Sequence, residues 1–171
     1  HAMIELHIEQ GPILEAEGKD IGVVTHGQGL WWLEITLTGK DAHTGSTPMN
    51  MRVNAGLGMA RITERVHQIA MGHQPGAVGA VGQVHVFPNS RNVIPGKVVF
   101  TVDVRSPKLA KLDTMKGEVI RAAHAVAAEL GLGCAIEEVG HFDPVTFDPG
   151  LVKIVRQAAE NLGYSHMDII S

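Results

Sequence analysis

Four short stretches of the sequence carry residue types that could do chemistry. His7 lies in HIEQGP, His43 in DAHTGSTPM, Asn92 in PNSRNVIPG and Arg105 in VDVR. Imidazole nitrogens bind divalent metals or exchange protons, whereas amide and guanidinium groups donate hydrogen bonds. A metal-dependent or acid–base active site is therefore one interpretation of these stretches.

The stretch around His7 places a histidine between two glutamates on one face of a predicted strand. The alternating pattern IELHIEQ puts the apolar side chains on the opposite face, and the strand is expected to stop at Gly11-Pro12. A metal site would account for this arrangement, and so would an ordinary edge strand.

Each of the four residues also has a structural interpretation. A histidine on a strand is often a hydrogen-bonded structural residue, and a histidine in a Gly/Ser/Thr/Pro loop such as that of His43 needs no special role. Asn92 precedes Pro95-Gly96 and could close that turn with its side chain. Arg105 ends a predicted strand and could be a solvated charge.

The composition indicates a globular protein and excludes several partners. The chain has 171 residues, of which 44% are hydrophobic and 19% charged, with a net charge of -4. No basic patch favours nucleic acid and no apolar run is long enough for a membrane span. The single cysteine, Cys134, cannot form an intrachain disulfide, which is consistent with a reducing, cytoplasmic compartment.

Hydrophobic periodicity predicts the elements that must position these residues. Strands are expected in LWWLEITLTG, AVGAVGQVHVF, KVVFTVDVR and GCAIEEVG, and amphipathic helices at residues 51–71, at 112–130 and at 151–162. In the connection PNSRNVIPG, Pro95-Gly96 fits a type II turn in which glycine supplies a positive φ.

The order of these elements between residues 30 and 140 is β-α-β-β-α-β. This order predicts an α+β fold with a ferredoxin-like lid, a four-stranded antiparallel sheet with two helices on one face. The ends of the chain do not complete a domain of their own. They are therefore expected to be incomplete segments of an α/β domain, and the chain to be a fragment of a larger protein.

The motifs taken in order resemble one enzyme family. ELHIEQGP, IGVV, AHTGSTPM, NSRNVIPG and FTVDVR are similar to the corresponding stretches of the N-carbamoyl-L-amino acid amidohydrolases. These belong, with allantoate amidohydrolase and β-ureidopropionase, to the di-metal amidohydrolases related to aminoacylase and zinc carboxypeptidases. The resemblance covers nearly the whole chain.

The resemblance implies a catalytic domain with two divalent metal ions (Zn, Mn, Co or Ni) and an inserted lid that forms a homodimer. Residues 28–142 would be the lid and dimerisation domain, and residues 1–27 and 143–171 would be catalytic-domain segments. The remaining metal ligands would lie outside this chain. We therefore expect the fragment alone to be inactive and to bind no metal tightly.

The resemblance also implies roles for five residues. His7 would be a metal ligand, and Gln10 would contact the substrate. His43 would be catalytic, donating a hydrogen bond to the oxyanion in the partner subunit's active site. Asn92 and Arg105 would bind the carboxylate of a carbamoyl amino acid or ureido acid, a role that suits a planar guanidinium better than a lysine.

Two alternatives remain open. Within the enzyme class, the alternative is allantoate amidohydrolase or β-ureidopropionase. The alternative of another class is a stand-alone ferredoxin-like module that dimerises or binds without catalysis. One departure from the family pattern is Asn54, which stands where the family has an aspartate. It weakens a charge interaction at a helix N-terminus.

Overall fold

A computed structural model describes residues 1–171, which form two compact units. One unit is the continuous segment Gly29–Asp143. The other combines His1–Gln28 with Pro144–Ser171. None of the helices combines the length and apolar character needed to cross a bilayer.

The helices and strands are numbered along the chain. The strands are β1 Ile21–Gly27, β2 Gly29–Thr38, β3 Ala42–His43, β4 Val78–Phe87, β5 Val93–Ile94, β6 Lys97–Ser106, β7 Gly133–Phe142, β8 Val145–Thr146 and β9 His166–Ile170. The helices are α1 Ile13–Ala16, α2 Ala55–Gly72, α3 Leu109–Leu130 and α4 Pro149–Asn161, and a 3₁₀ turn spans Met49–Met51.

The unit Gly29–Asp143 is built on a four-stranded sheet in the order β4-β6-β2-β7, in which every neighbouring pair is antiparallel. Leu33, Ile35 and Leu37 of β2 are completely buried, as their alternation predicts. In β6, Phe100 lies opposite Ile35 and is also buried. The predicted four-stranded antiparallel sheet is therefore confirmed.

Helices α2 and α3 contribute to the same core as this face of the sheet. Ile62 and Val66 of α2, and Leu112, Met115 and Val119 of α3, are buried in one cluster with the strand residues. Helix α3 ends where predicted, at Leu130, and the capping residue Gly131 adopts a left-handed conformation with φ of 66°.

Helix α2 begins at Ala55, four residues later than the predicted start near Met51. The side-chain oxygen of Asn54 accepts a hydrogen bond from the backbone N–H of Leu57 over 3.2 Å, so Asn54 is the N-cap of this helix. Met49–Met51 forms the separate 3₁₀ turn, and Arg52 is extended. The apolar pattern alone does not show which residue caps the helix, and so it does not give the residue at which the helix begins.

The second unit contains a three-stranded sheet in the order β8-β1-β9, in which β1 and β9 are parallel. Helix α4 begins at Pro149 and is capped by Asp148, whose side chain accepts from the backbone N–H of Leu151 over 2.9 Å. In β9, Asp168 forms an ion pair with Arg156 of α4.

The predicted first strand is wrong. Residues 1–10 adopt no regular secondary structure, and the side chains of Ile4, Leu6 and Ile8 are 65%, 96% and 75% exposed. A strand exists only when its backbone pairs with a neighbour, and no strand of this chain pairs with the segment. The alternation of apolar and polar residues indicates an amphipathic segment, but it does not show whether another strand pairs with that segment.

The predicted positive φ at Gly96 is also wrong, because Gly96 is not among the residues with positive φ. A glycine is needed there for a different reason. A Cβ atom on Gly96 would lie 2.5 Å from both the backbone nitrogen and the Oδ1 atom of Asp41. Glycine is required here because Asp41 approaches its backbone too closely for a side chain, and not because the backbone angle is unusual.

Candidate functional site

The His43 loop and the Asn92 connection meet in a short antiparallel ribbon formed by β3 and β5. His43 is paired with Val93 and Ala42 with Ile94. Just beyond this ribbon, the backbone N–H of Thr44 donates to the carbonyl oxygen of Asn92 over 2.9 Å. Two of the residues singled out from the sequence therefore lie on adjoining loops of one unit.

One hydrogen bond closes the ribbon at its base and another fixes it to helix α2. Asp41 Oδ1 accepts from the backbone N–H of Gly96 over 2.7 Å, and the backbone N–H of Ala55 donates to the carbonyl oxygen of Pro95 over 3.0 Å. Ile94 is buried. These contacts tie both loops to the first turn of α2.

The His43 side chain is exposed, and its orientation is set by its own loop. Nδ1 accepts hydrogen bonds from the backbone N–H groups of Gly45 at 3.0 Å and Ser46 at 3.2 Å. Because Nδ1 accepts, the neutral ring carries its proton on Nε2. His43 thus presents an N–H donor that is free to bind an oxygen of another molecule.

Arg52 holds the backbone of the same loop and was not recognised from the sequence. Its Nη2 donates to the carbonyl oxygens of Thr44 at 2.7 Å and Thr47 at 2.9 Å, and its Nε donates to Thr47 at 3.0 Å. The signal was present. A loop whose carbonyl groups bend away from any strand needs a donor nearby, and Arg52 is the arginine that follows it.

The Asn92 side chain is exposed and keeps its donors free. Its Oδ1 accepts from the Ser90 hydroxyl over 3.0 Å, while its NH₂ group makes no hydrogen bond within the chain. Asn89 in the same connection has a φ of 57°, which turns the chain sharply ahead of Ser90. Asn92 can therefore donate to an anionic oxygen close to His43.

Arg105 lies at the other end of β6 from the ribbon. From Lys97 to Arg105 the strand advances eight residues, which is roughly 26 Å at about 3.3 Å per residue. The guanidinium forms a hydrogen-bonded ion pair with Asp103, whose Oδ2 accepts from Nη2 over 2.7 Å. Hydrogen bonding to Asp103 raises the pKa of Arg105, so the side chain keeps its charge.

Arg105 and Asn92 of one chain are consequently too far apart to bind the same small carboxylate. The carboxylate group itself spans about 2 Å, whereas the strand between the two residues is an order of magnitude longer. The structure brings His43 and Asn92 together and leaves Arg105 apart.

His7 and Gln10 lie in the segment without regular structure. The ring of His7 is exposed, with Nδ1 hydrogen-bonded to the carbonyl oxygen of Ile8, and Gln10 has a φ of 56°. Glu9, next to them, accepts from the backbone N–H groups of Ile13 and Leu14 at 2.7 and 3.0 Å, and so caps α1.

The chain holds no cluster of three or more His, Cys, Asp or Glu side chains that could bind a metal ion. A tightly held zinc ion needs three or four protein ligands in a defined shell, and His7 provides one. The residues present therefore do not fit a metal centre by themselves.

Similarity to known proteins extends over the whole chain. Residues 25–131 match the family described as the peptidase dimerisation domain. An N-carbamoyl-L-amino-acid amidohydrolase of Rhizobium meliloti is 70% identical over 171 residues, covering 100% of the chain and 41% of that protein. An allantoate amidohydrolase of Escherichia coli is 33% identical, covering 93% of the chain and 39% of that protein.

Solved structures give the same pattern of coverage. The crystal structure of an amidase of the hydantoinase/carbamoylase family from Burkholderia multivorans superimposes with a TM-score of 0.93 at 52% identity, over 96% of the chain and 40% of the amidase. The chain thus spans about two fifths of the length of the proteins it matches.

Proposed function

Because the chain belongs to the peptidase dimerisation domain family, we propose that it is part of a metal-dependent N-carbamoyl-L-amino acid amidohydrolase. The whole enzyme hydrolyses the carbamoyl group with one water molecule and releases the L-amino acid, carbon dioxide and ammonia. The observation that carries this proposal is the 70% identity to such an enzyme across all 171 residues, both flanks included.

In this proposal residues 28–142 are the lid and dimerisation domain. The sheet order β4-β6-β2-β7 is, in strand order within the domain, 2-3-1-4, and with one helix after the first strand and one after the third it fits the ferredoxin-like arrangement. Residues 1–27 and 143–171 are catalytic-domain segments. Apolar side chains such as Ile154 and Leu162, which are 59% and 72% exposed, favour burial against further protein.

His43 supplies the catalytic hydrogen bond. Its Nε2–H points away from the loop that binds Nδ1, so it can donate to the oxygen of the carbamoyl group as negative charge develops there. Asn92, on the adjoining loop, donates its free NH₂ group to the substrate carboxylate. The fixed ribbon keeps these two donors in one arrangement during the reaction.

Arg105 binds the same carboxylate from the other subunit of a homodimer. This assignment follows from the length of β6, since Arg105 and Asn92 of one chain cannot reach one small anion. Each active site then takes His43 and Asn92 from one protomer, and Arg105, Gln10 and the metal ligand His7 from its partner. The two metal ions need ligands beyond these 171 residues.

Allantoate amidohydrolase is the second candidate function, supported by the Escherichia coli relative at 33% identity. The ureido acid substrates of the two enzymes share a carbamoyl group and a carboxylate, so the same five residues would serve. A dimerisation module without catalysis is the alternative of another class.

A cytoplasmic location fits the unpaired Cys134, whose pKa is raised by burial.

The test is ammonia release by the full-length protein that contains this chain, supplied with divalent metal. We expect hydrolysis of N-carbamoyl-L-amino acids, with the D enantiomers, allantoate and N-carbamoyl-β-alanine as much poorer substrates. Faster turnover of allantoate would instead identify the second candidate. Absence of hydrolysis with all four substrates would contradict the enzymatic proposal.

A further inference from the structure

Arg52 and His43 contact opposite ends of one peptide group. The carbonyl oxygen of Thr44 accepts from Arg52 Nη2 over 2.7 Å, and the N–H of the same peptide, on Gly45, donates to His43 Nδ1 over 3.0 Å. A trans peptide is planar, with its C=O and N–H pointing in opposite directions. Whatever fixes the direction of this carbonyl therefore fixes the direction of the N–H that His43 accepts.

The rest of the loop is held in the same way. The two bonds from Arg52 to the carbonyl oxygen of Thr47 close the loop at its far end, and the backbone N–H of Thr47 donates to the carbonyl oxygen of His43 over 3.3 Å. The N–H groups of Gly45 and Ser46 therefore point toward the His43 ring, whereas the carbonyl groups of Thr44 and Thr47 point toward the Arg52 guanidinium. Each hydrogen bond in such a chain polarises the next.

We propose that Arg52 is a positioning residue that keeps His43 in the Nε2–H tautomer and in one ring orientation, acting through the Thr44–Gly45 peptide. The catalytic consequence rests on the function proposed above, whereas the effect on the ring does not. Without Arg52 the Thr44–Gly45 peptide can rotate, and His43 Nδ1 loses the closer of its two donors, which leaves only the backbone N–H of Ser46 at 3.2 Å to favour a proton on Nε2. The oxyanion donor is then misplaced or lost.

The guanidinium geometry is needed for this role. Nε and Nη2 reach Thr47 together while Nη2 also reaches Thr44, an arrangement that a planar group with several N–H bonds can make. A lysine offers one nitrogen on a flexible stem and cannot hold both carbonyls in fixed directions. The close fit extends to Gly45, where a Cβ atom would lie 3.2 Å from the Cε1 atom of His43.

A matched control is available on α2. Arg61 is also partly exposed, and it pairs with Glu129 over 2.6 Å without touching the loop. Arg61→Met removes the same guanidinium from the same unit. Any effect of Arg52→Met that Arg61→Met does not share arises from the loop contacts.

The first experiment is NMR spectroscopy of the 171-residue chain at about pH 8.5, above the ordinary titration range of histidine. In the wild type we expect ¹⁵N couplings across the Gly45–His43 hydrogen bond and a coupling from Arg52 Nη2 to the Thr44 carbonyl carbon. In Arg52→Met, the Nδ1–H tautomer of His43 should appear and Gly45 amide exchange should accelerate roughly 2–10-fold, as for loss of one hydrogen bond. The exchange rates of the backbone amides of β2 and β6 should be unchanged.

The second experiment uses the full-length enzyme. Arg52→Met and Arg52→Lys should each lower kcat by about 10–100-fold, as expected for a residue that orients a functional histidine, with little change in KM. In a His43→Ala background, Arg52→Met should change kcat by less than about twofold, because the two residues act as one unit. Arg61→Met should leave kcat unchanged.

The NMR result can overturn the proposal independently of the proposed function. If the wild type lacks both couplings, or the folded Arg52→Met chain keeps the Nε2–H tautomer and slow Gly45 exchange, Arg52 does not position His43. The wild-type couplings decide this even if Arg52→Met fails to fold. If the couplings are present but Arg52→Met lowers kcat by the same factor in the wild type and in the His43→Ala background, Arg52 acts on the reaction by another route.

Discussion

The backbone N–H of Thr44 donates to the carbonyl oxygen of Asn92 over 2.9 Å, which makes the His43 loop and the Asn92 connection one structural piece. The two loops are distant in the sequence, and the β3–β5 ribbon aligns them next to this bond. A substitution that disturbs the ribbon should therefore affect both candidate groups together. The spacing between them is a property of the fold rather than of either loop.

Replacement of Gly96 by alanine tests this coupling. A Cβ atom at Gly96 would lie 2.5 Å from two atoms of Asp41, so Asp41 must move and the hydrogen bond to the Gly96 N–H must lengthen. We expect the free energy of unfolding to fall by about 1–3 kcal/mol, as for other overpacked positions. Urea unfolding followed by tryptophan fluorescence measures this, and NMR should show shifted signals for both His43 and Asn92.

Gly72→Ala is the control for Gly96→Ala. Gly72 is the last residue of α2, and a Cβ atom there meets nothing within 4 Å. Its substitution should leave stability unchanged or raise it by less than about 1 kcal/mol, because alanine is the better helix former. Equal effects of the two substitutions would show that the contact with Asp41 does not constrain Gly96.

The sequence predicted the sheet and the two long helices because their signals are local. The alternation of Leu33, Ile35 and Leu37, and the glycine stop after α3, each follow from the chain near the element itself. The strand predicted at residues 4–10 failed because pairing is not local, and alternation alone does not provide a neighbour.

The candidate site was predicted only in part, because the pairing that builds it is also not local. His43 and Asn92 stand in recognisable motifs, but β3 and β5 have two residues each and carry no periodicity that could reveal their pairing. Arg52 was missed because its partners are backbone carbonyl groups, and only its position directly after the loop indicates that it could bind them. Gly96 was recognised as special for the wrong physical reason, a positive φ in place of close approach to Asp41.

Asp20 should make the unit formed by the chain ends sensitive to acid. Its Oδ2 accepts from the hydroxyl of Ser165 over 2.6 Å and from the backbone N–H of Ser165 over 3.0 Å, and these bonds lower the pKa of Asp20. A lowered pKa means that the contribution of Asp20 to stability is complete above the unfolded value, near 3.9 for an ordinary aspartate. It is lost as the pH falls through the lower, folded value.

Carboxyl ¹³C titration of Asp20 by NMR tests this prediction. The wild-type midpoint should lie below that of an ordinary aspartate, and Ser165→Ala should move it upward because the hydroxyl donor is lost. Asp20→Asn should remove the corresponding part of the pH dependence of stability. An unchanged midpoint in Ser165→Ala would show that the Ser165 hydroxyl does not lower this pKa.

Replacement of Arg105 should weaken substrate binding in the full-length enzyme. Arg105→Ala removes a charge-assisted contact to the substrate carboxylate, and loss of one partner of such a pair costs about 2–5 kcal/mol. KM should rise much more than kcat falls, and Arg105→Lys should restore little because lysine lacks the planar fork. Steady-state kinetics measures both, with the exposed arginine of α3 in Arg121→Ala as the control.

The proposed lid should dimerise in this chain. A two-fold interface uses the same surface on both subunits, so a chain that contains the whole interface can associate with a copy of itself. The sheet leaves β4 and β7 as edge strands, each with one side unpaired in the chain. Light scattering at high micromolar concentration should give twice the chain mass, and a strictly monomeric chain would count against the assignment.

Mixing inactive full-length variants tests most directly whether each active site is built from two chains. When His43→Ala and His7→Ala subunits exchange, one site of the heterodimer carries both defects and the other carries neither, so activity should partly return. His43→Ala with Arg105→Ala should also recover activity, because His43 and Arg105 of one chain serve different active sites. His43→Ala with Asn92→Ala should not, because those two residues of one chain serve the same active site. If exchange is demonstrated and the first mixture stays as inactive as its components, His43 does not act across the dimer and the central claim is wrong.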